Sequence, residues 1–146
     1  MDDRRLVDIL LVEDSDADIR LTREALKEST ILNTLHVARD GVEALDFLHR
    51  RGGRAVAPRP DMILLDLNLP KKDGREVLEE IKRDEGLKII PVVVLTTSRA
   101  EGDILKSYQA HANCYIRKPI NADEFFEVVR SIEGFWFRTV TLPPKN

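Results

Sequence analysis

The chain has 146 residues, 42% of them apolar and 34% charged, the size and make-up of one ordinary globular domain and not of a disordered or fibrous chain. Lys and Arg total 23 against 26 Asp and Glu, a net charge of -3, which argues against the strongly basic face of a nucleic-acid-binding module. A lone cysteine, Cys114, excludes a disulfide framework or CxxC site; no apolar run nears the ~20 residues of a membrane span, and Met1-Asp2-Asp3-Arg4-Arg5 lacks a signal peptide's apolar stretch, so a cytoplasmic address is expected.

Apolar runs and helical patterns alternate five times along the chain. Ile9-Leu10-Leu11-Val12 is wholly apolar, as a strand buried on both faces requires. Ser15, with Asp18 three residues on, has capping-box spacing and opens a first helix through Ala17, Leu21 and Ala25. Leu35-His36-Val37-Ala38 reads as a second strand. Val42, Leu45 and Leu48 mark a second helix that ends before Gly52-Gly53.

After a loop from Arg54 to Pro60, Met62-Ile63-Leu64-Leu65 is the third strand, running into Asp66 and a Pro70-to-Gly74 turn. Val77, Leu78 and Ile81 stripe helix three. Pro91 introduces strand four, Val92-Val93-Val94-Leu95, and helix four is expected from about Ala100 to Gln109 with Ile104, Leu105 and Tyr108 facing inward. Cys114-Tyr115-Ile116 forms strand five, where Cys114 serves as a small hydrophobe. Asn121 and Glu124 repeat the capping-box spacing before a fifth helix through Phe125, Val129 and Ile132.

Five strand–helix units with near-continuous apolar strands predict an α/β fold, a doubly wound parallel sheet with helices on both faces. In such a sheet the ligand crevice lies outside the carboxyl ends of the strands. Those ends carry chemistry: Glu13-Asp14 after strand one, Asp66 after strand three, Thr96-Thr97 at strand four and Lys118-Pro119 after strand five. Two carboxylates ~4 Å apart repel by about 4 kcal/mol at an effective dielectric of 20, so three would demand a cation or raise one another's pKa. Hard oxygen donors in an incomplete set suit Mg²⁺. A lysine and a hydroxyl suit a phosphoryl group, and Asp66, between the flanking groups, is the candidate nucleophile for an aspartyl phosphate. Any one of these groups alone could be a solvated loop residue or a cap, as Asp14 or Asp16 for helix one and Thr96 for helix four; the combination on four strands carries the inference.

Val12-Glu13-Asp14, Leu64 to Gly74 (Leu-Leu-Asp-Leu-Asn-Leu-Pro-Lys-Lys-Asp-Gly), Pro91 to Thr96 and Lys118-Pro119 resemble the signatures of receiver domains of two-component response regulators, over about residues 6–133. The resemblance implies a flavodoxin-like sheet of order 2-1-3-4-5. It also implies that Asp66 accepts a phosphoryl group from a sensor histidine kinase. Asp14, Asp66 and the Asn68 carbonyl would hold Mg²⁺, with Glu13 acting through water. Lys118 and Thr96 would contact phosphoryl oxygens, and Tyr115 would be the switch aromatic that rotates inward with Thr96. Pro119 stands where the family often has a cis peptide. A change on the face formed by helix four, strand five and helix five would follow. The protein is then a signalling switch that catalyses only its own phosphorylation and dephosphorylation.

Twelve residues follow Gly134, too few for an output domain, so a stand-alone receiver is expected. Five of the eight aromatics, Phe125, Phe126, Phe135, Trp136 and Phe137, fall within thirteen residues, to pack on the domain's own core or to form an association patch. The run from Asp66 to Leu78, Val92 to Ser98, and the ending Phe135 to Pro143 resemble more narrowly the small regulators paired with bacterial and cyanobacterial phytochromes. That likeness implies a phytochrome kinase as partner and a homodimer through helix four, strand five, helix five and residues 135–142 of a 134–146 extension. Neither direct nucleic-acid binding nor a membrane anchor is expected.

Other enzyme classes fit less well. A phosphatase of the haloacid dehalogenase type also forms an aspartyl phosphate, but it wants an Asp two positions after the nucleophile, where Asn68 stands, and places the nucleophile after its first strand. His36, His49 and His111 lack zinc-ligand spacing, and no GxGxxG or P-loop motif is present. Onward relay of the phosphoryl group to a histidine phosphotransfer protein stays open.

Overall fold

A computed structural model describes residues 6–145; Met1 to Arg5, read above for a signal peptide, and Asn146 of the proposed extension lie outside them. Five parallel strands, β1 (Val7–Val12), β2 (Asn33–Ala38), β3 (Met62–Leu65), β4 (Val92–Thr96) and β5 (Cys114–Arg117), alternate with α1 (Asp16–Lys27), α2 (Gly41–Leu48), α3 (Gly74–Arg83), α4 (Glu101–Gln109) and α5 (Ala122–Glu133). The sheet order is β2-β1-β3-β4-β5, the flavodoxin-like arrangement expected. Register puts Val12 beside both Ala38 and Leu65, Leu65 beside Val94, and Thr96 beside Arg117, so the carboxyl ends of the strands share one rim.

The continuous apolar strands are explained by two cores, because successive side chains point to opposite faces. Leu10, Val12, Ile63, Leu65, Val92 and Val94 meet Ala44, Leu45 and Leu48 of α2 and Val77, Leu78 and Ile81 of α3. Ile9, Leu11, Met62, Leu64, Val93 and Leu95 meet Ile19, Ala25 and Leu26 of α1 and Phe125, Val129 and Ile132 of α5. Every residue of β1, β3 and β4 is buried, whereas the edge strands β2 and β5 are only partly so.

Helix α4 corrects the sequence reading. Leu105 and Tyr108 are 59% and 49% exposed, Ile104 is half-buried, and Ser107 is the one buried residue of the helix. The inward position is taken by the small Ser107, and Ala110 just past the helix packs on the α2/α3 core, while the larger Leu105 and Tyr108 stay outside. Its N-cap is Ala100, which makes no side-chain cap bond, so Thr96 does not cap it.

Beyond α5, Gly134–Thr139 winds as a single π-helical segment. Trp136, Phe137 and Leu142 pack against the α1/α5 core, while Phe135 is 53% exposed and meets Trp136 edge-on at 5.6 Å. Arg138 bonds Glu133 at 3.2 Å and the Thr30 hydroxyl. Lys145 bonds Asp8 and pairs with Asp61 at 3.1 Å, which draws the end of the chain back to the amino side of the sheet. Among the described residues no helix is long and apolar enough to cross a membrane.

Candidate functional site

Backbone pairing at the rim sets where each functional side chain starts. Glu13 N–H donates to the Ala38 carbonyl at 2.9 Å, Asp66 N–H to the Val12 carbonyl at 3.1 Å and Lys118 N–H to the Thr96 carbonyl at 2.7 Å. Each residue just past a strand is thereby held to its neighbouring strand. Gly74, the first residue of α3, fixes the loop that carries Asp66: a Cβ there would lie 2.2 Å from the Asp66 carbonyl oxygen and 2.6 Å from Leu67 Cα. No larger residue fits without moving that loop.

The groups read from sequence at the ends of β1, β3 and β5 come together, whereas among the described residues the Thr96 side chain bonds only within its own loop. Lys118 Nζ donates to Glu13 Oε1 at 2.5 Å, Asp18 Oδ2 at 2.8 Å and Asp66 Oδ2 at 3.0 Å. An ammonium has three N–H donors, and all three are used. Asp66 Oδ1 accepts from the Asn68 N–H at 3.1 Å, and Glu13 Oε2 from the Ser15 N–H at 3.1 Å. Glu13, Asp14 and Asp66 each offer a carboxylate oxygen within 4.8 Å of the others; Glu13 and Asp66 are buried and Asp14 is exposed.

Electrostatics follow from this packing. Burial opposes the Lys118 charge, but hydrogen bonds to Asp18 and Glu13 and the charges of Asp66 and Glu13 outweigh it, leaving the ammonium well above the usual lysine range. Burial raises the Glu13 carboxyl against the lowering by Lys118, and the nearby Asp66 charge adds to the rise. One ammonium thus faces three carboxylates, with the Asp14 carboxylate close to two of them. Three hard oxygen donors within reach of one another, one of them open to solvent, fit a divalent cation with retained waters.

Thr96 is fully buried, and its Oγ1 accepts from the Ser98 N–H at 3.4 Å. Tyr115 packs against the α2/α3 core; its hydroxyl donates to the Ser98 carbonyl at 3.1 Å and its N–H to the Tyr108 hydroxyl at 3.2 Å. Asn68 is exposed in the loop after β3. The Lys118–Pro119 peptide, like every other described one, is trans.

Asp18 was missed as a site residue. Sequence spacing marks it as the partner of Ser15, and Ser15 Oγ does accept its N–H at 3.3 Å. The carboxylate, however, turns to Lys118, a residue 100 positions away, and only the fold could show that.

The model of the response regulator receiver domain matches residues 9–130. The chain belongs to that family. Among curated relatives, the receiver is 58% identical over 135 residues to response regulator Rcp1 of Synechocystis sp., covering 92% of each chain. The solved Mn²⁺-bound form of Rcp1 matches it with a TM-score of 0.93 at 57% identity, covering 94% of this chain and 99% of the other. The phosphorylated cyanobacterial phytochrome response regulator RcpA matches with a TM-score of 0.94 at 56% identity, over 96% and 100%. A receiver is a signalling protein, and this fold and family are the ones its sequence motifs announced.

Proposed function

We propose that Asp66 is the phosphoacceptor of this receiver and that a sensor histidine kinase is its donor. The observation that carries the reading is the buried contact of Lys118 Nζ with Asp66 Oδ2, 3.0 Å apart, inside a ring of acidic groups that includes Glu13 and Asp14. An Asp66 carboxylate oxygen attacks the phosphohistidine phosphorus; the P–N bond breaks, an acyl phosphate forms, and the imidazole leaves with the bonding pair. Asp14, Asp66 and the Asn68 carbonyl would hold Mg²⁺, with Glu13 behind them. That cation supplies charge neutralisation for the transferring oxygens.

The chain's own residues do the rest. Because the three Lys118 donors are already occupied, the new phosphoryl oxygens must take over at least one of them. Thr96, buried at the end of β4, would turn its hydroxyl to bond another. Tyr115 hangs on the same loop through Ser98, so a change at Thr96 reaches the α4–β5–α5 face. Moving such an equilibrium from 1:99 to 99:1 takes roughly 5.5 kcal/mol, within reach of a few charge-assisted hydrogen bonds.

Likeness to Rcp1 and RcpA supports a phytochrome kinase as the donor. Exposed Leu105, Tyr108, Ile120 and Phe135 support a homodimer through α4, β5, α5 and residues 135–142. A cytoplasmic location belongs to the same reading and rests on it alone. The test is phosphotransfer from a histidine-labelled phytochrome kinase: label passes to the wild type and not to Asp66→Asn. Equal label on both proteins would overturn the assignment.

A further inference from the structure

Arg75, the second residue of α3, joins two loops that flank the site. Its Nε and Nη2 donate to Asp103 Oδ1 and Oδ2 at 2.7 and 2.6 Å, a fork-to-fork pair of the strong, geometrically specific kind. Its Nη1 donates to Asp73 Oδ1 at 2.9 Å and to the Leu67 carbonyl at 3.4 Å. Leu67 directly follows Asp66 and is fully buried. On the far side, Asp103 Oδ2 accepts the Ser98 hydroxyl at 2.5 Å, and the Ser98 carbonyl accepts the Tyr115 hydroxyl at 3.1 Å.

These contacts form one chain from the loop after Asp66 to the ring of Tyr115, through side chains other than Thr96. Its weight comes from what α4 lacks. The helix has no side-chain N-cap and one buried residue, Ser107, so apolar packing does little to place its first turn. Ser98 lies in the loop before that turn, and its carbonyl is the acceptor of the Tyr115 hydroxyl. Ser98 is held on one side by the long bond of its N–H to Thr96 Oγ1 at 3.4 Å and on the other by the short bond of its hydroxyl to Asp103 at 2.5 Å, and Asp103 is held from α3 by Arg75.

We propose that Arg75 is a positioning residue of the switch: by tying the loop after Asp66 to Asp103 and Ser98, it holds the acceptor of the Tyr115 hydroxyl and favours the inward-packed tyrosine. This rests on the reading of Asp66 as phosphoacceptor, and it adds a route between Asp66 and the α4–β5–α5 face that runs beside Thr96.

The experiment is fluorine NMR of the full chain labelled with 3-fluorotyrosine, with Tyr115→Phe assigning the Tyr115 signal. In the wild type that ring is partly buried against the α2/α3 core and its signal is partly shielded from solvent. Arg75→Ala and Asp103→Asn each move it to a solvent-exposed position, and the charge reversal Arg75→Asp with Asp103→Arg returns it. In parallel, the rate of Asp66 labelling by acetyl phosphate falls by roughly two- to thirty-fold in the single variants and recovers in the reversal. A Tyr115 signal unmoved in both single variants, with lowered melting temperatures, would overturn the proposal and leave Arg75 a plain clamp between helices. The NMR arm uses no phosphodonor, so failure of Asp66 to be phosphorylated would sink the parent reading by itself. An unmoved signal in a protein that is phosphorylated would sink the Arg75 route alone.

Discussion

Lys118 Nζ lies 3.0 Å from Asp66 Oδ2, with 5% and 8% of the two side chains exposed. The ammonium is the main counter-charge for a buried acidic cluster, and removing one partner of such a set costs about 3–5 kcal/mol because a charge is left unpaired. Lys118→Ala is therefore expected to lose about 3 kcal/mol in chelator, and Mg²⁺ is expected to restore more stability to it than to the wild type. Urea unfolding with and without Mg²⁺ measures both. Equal Mg²⁺ responses would show that Lys118 does not compete with the cation for the same carboxylates.

Gly74 supports the Asp66 loop by having no side chain. Gly74→Ala is expected to cost about 1–3 kcal/mol by overpacking and to slow phosphorylation, since the clash is with the Asp66 carbonyl itself. Gly102→Ala is the control. Nothing lies within 4 Å of its added Cβ, and a helical Gly→Ala change should stabilise by roughly 0.5–1 kcal/mol. Denaturation midpoints of the two variants should move in opposite directions.

Much of this arrangement was legible from residue order. β1, β3 and β4 read clearly because burial on both faces leaves nearly continuous apolar runs, with Asp8 near the start of β1 and Thr96 at the end of β4 as the polar exceptions, and the rim positions followed from the parallel sheet. Helix α4 misled because Ile104, Leu105 and Tyr108 have helical spacing, while the contact is made by Ser107, whose hydroxyl gives no apolar signal. The Asp18–Lys118 and Arg75–Asp103 pairs were invisible for a different reason. Opposite charges 100 and 28 positions apart carry no periodicity, and only the crossovers of the sheet bring them together.

The Arg75 pair has a pH signature. Hydrogen bonds from Arg75 and then from Ser98 hold the Asp103 carboxyl well below its ordinary value of 3.8. The folded state thus binds fewer protons there than the unfolded chain, so this contribution is present above the ordinary carboxylate range and is lost as pH falls through the folded pKa. Between about pH 5 and about pH 2 the wild type should lose stability more steeply than Arg75→Ala. Parallel curves from urea titrations would contradict the pairing.

The aromatic tail divides its labour. Trp136 packs on the α1/α5 core, so Trp136→Ala is expected to cost about 3 kcal/mol in unfolding free energy, the low end for a large aromatic. Phe135 is exposed, so Phe135→Ser should leave monomer stability within about 0.5 kcal/mol and weaken self-association in light scattering. A monomeric wild type at micromolar concentration, with and without phosphodonor, would contradict the dimer.

The most direct test of the account is the intact mass of the protein after incubation with acetyl phosphate and Mg²⁺. The wild type is expected to gain one phosphoryl group, Lys118→Ala to gain it more slowly, and Asp66→Asn to gain none. Undiminished labelling of Asp66→Asn would contradict the central claim that this aspartate is the group the site is built to modify.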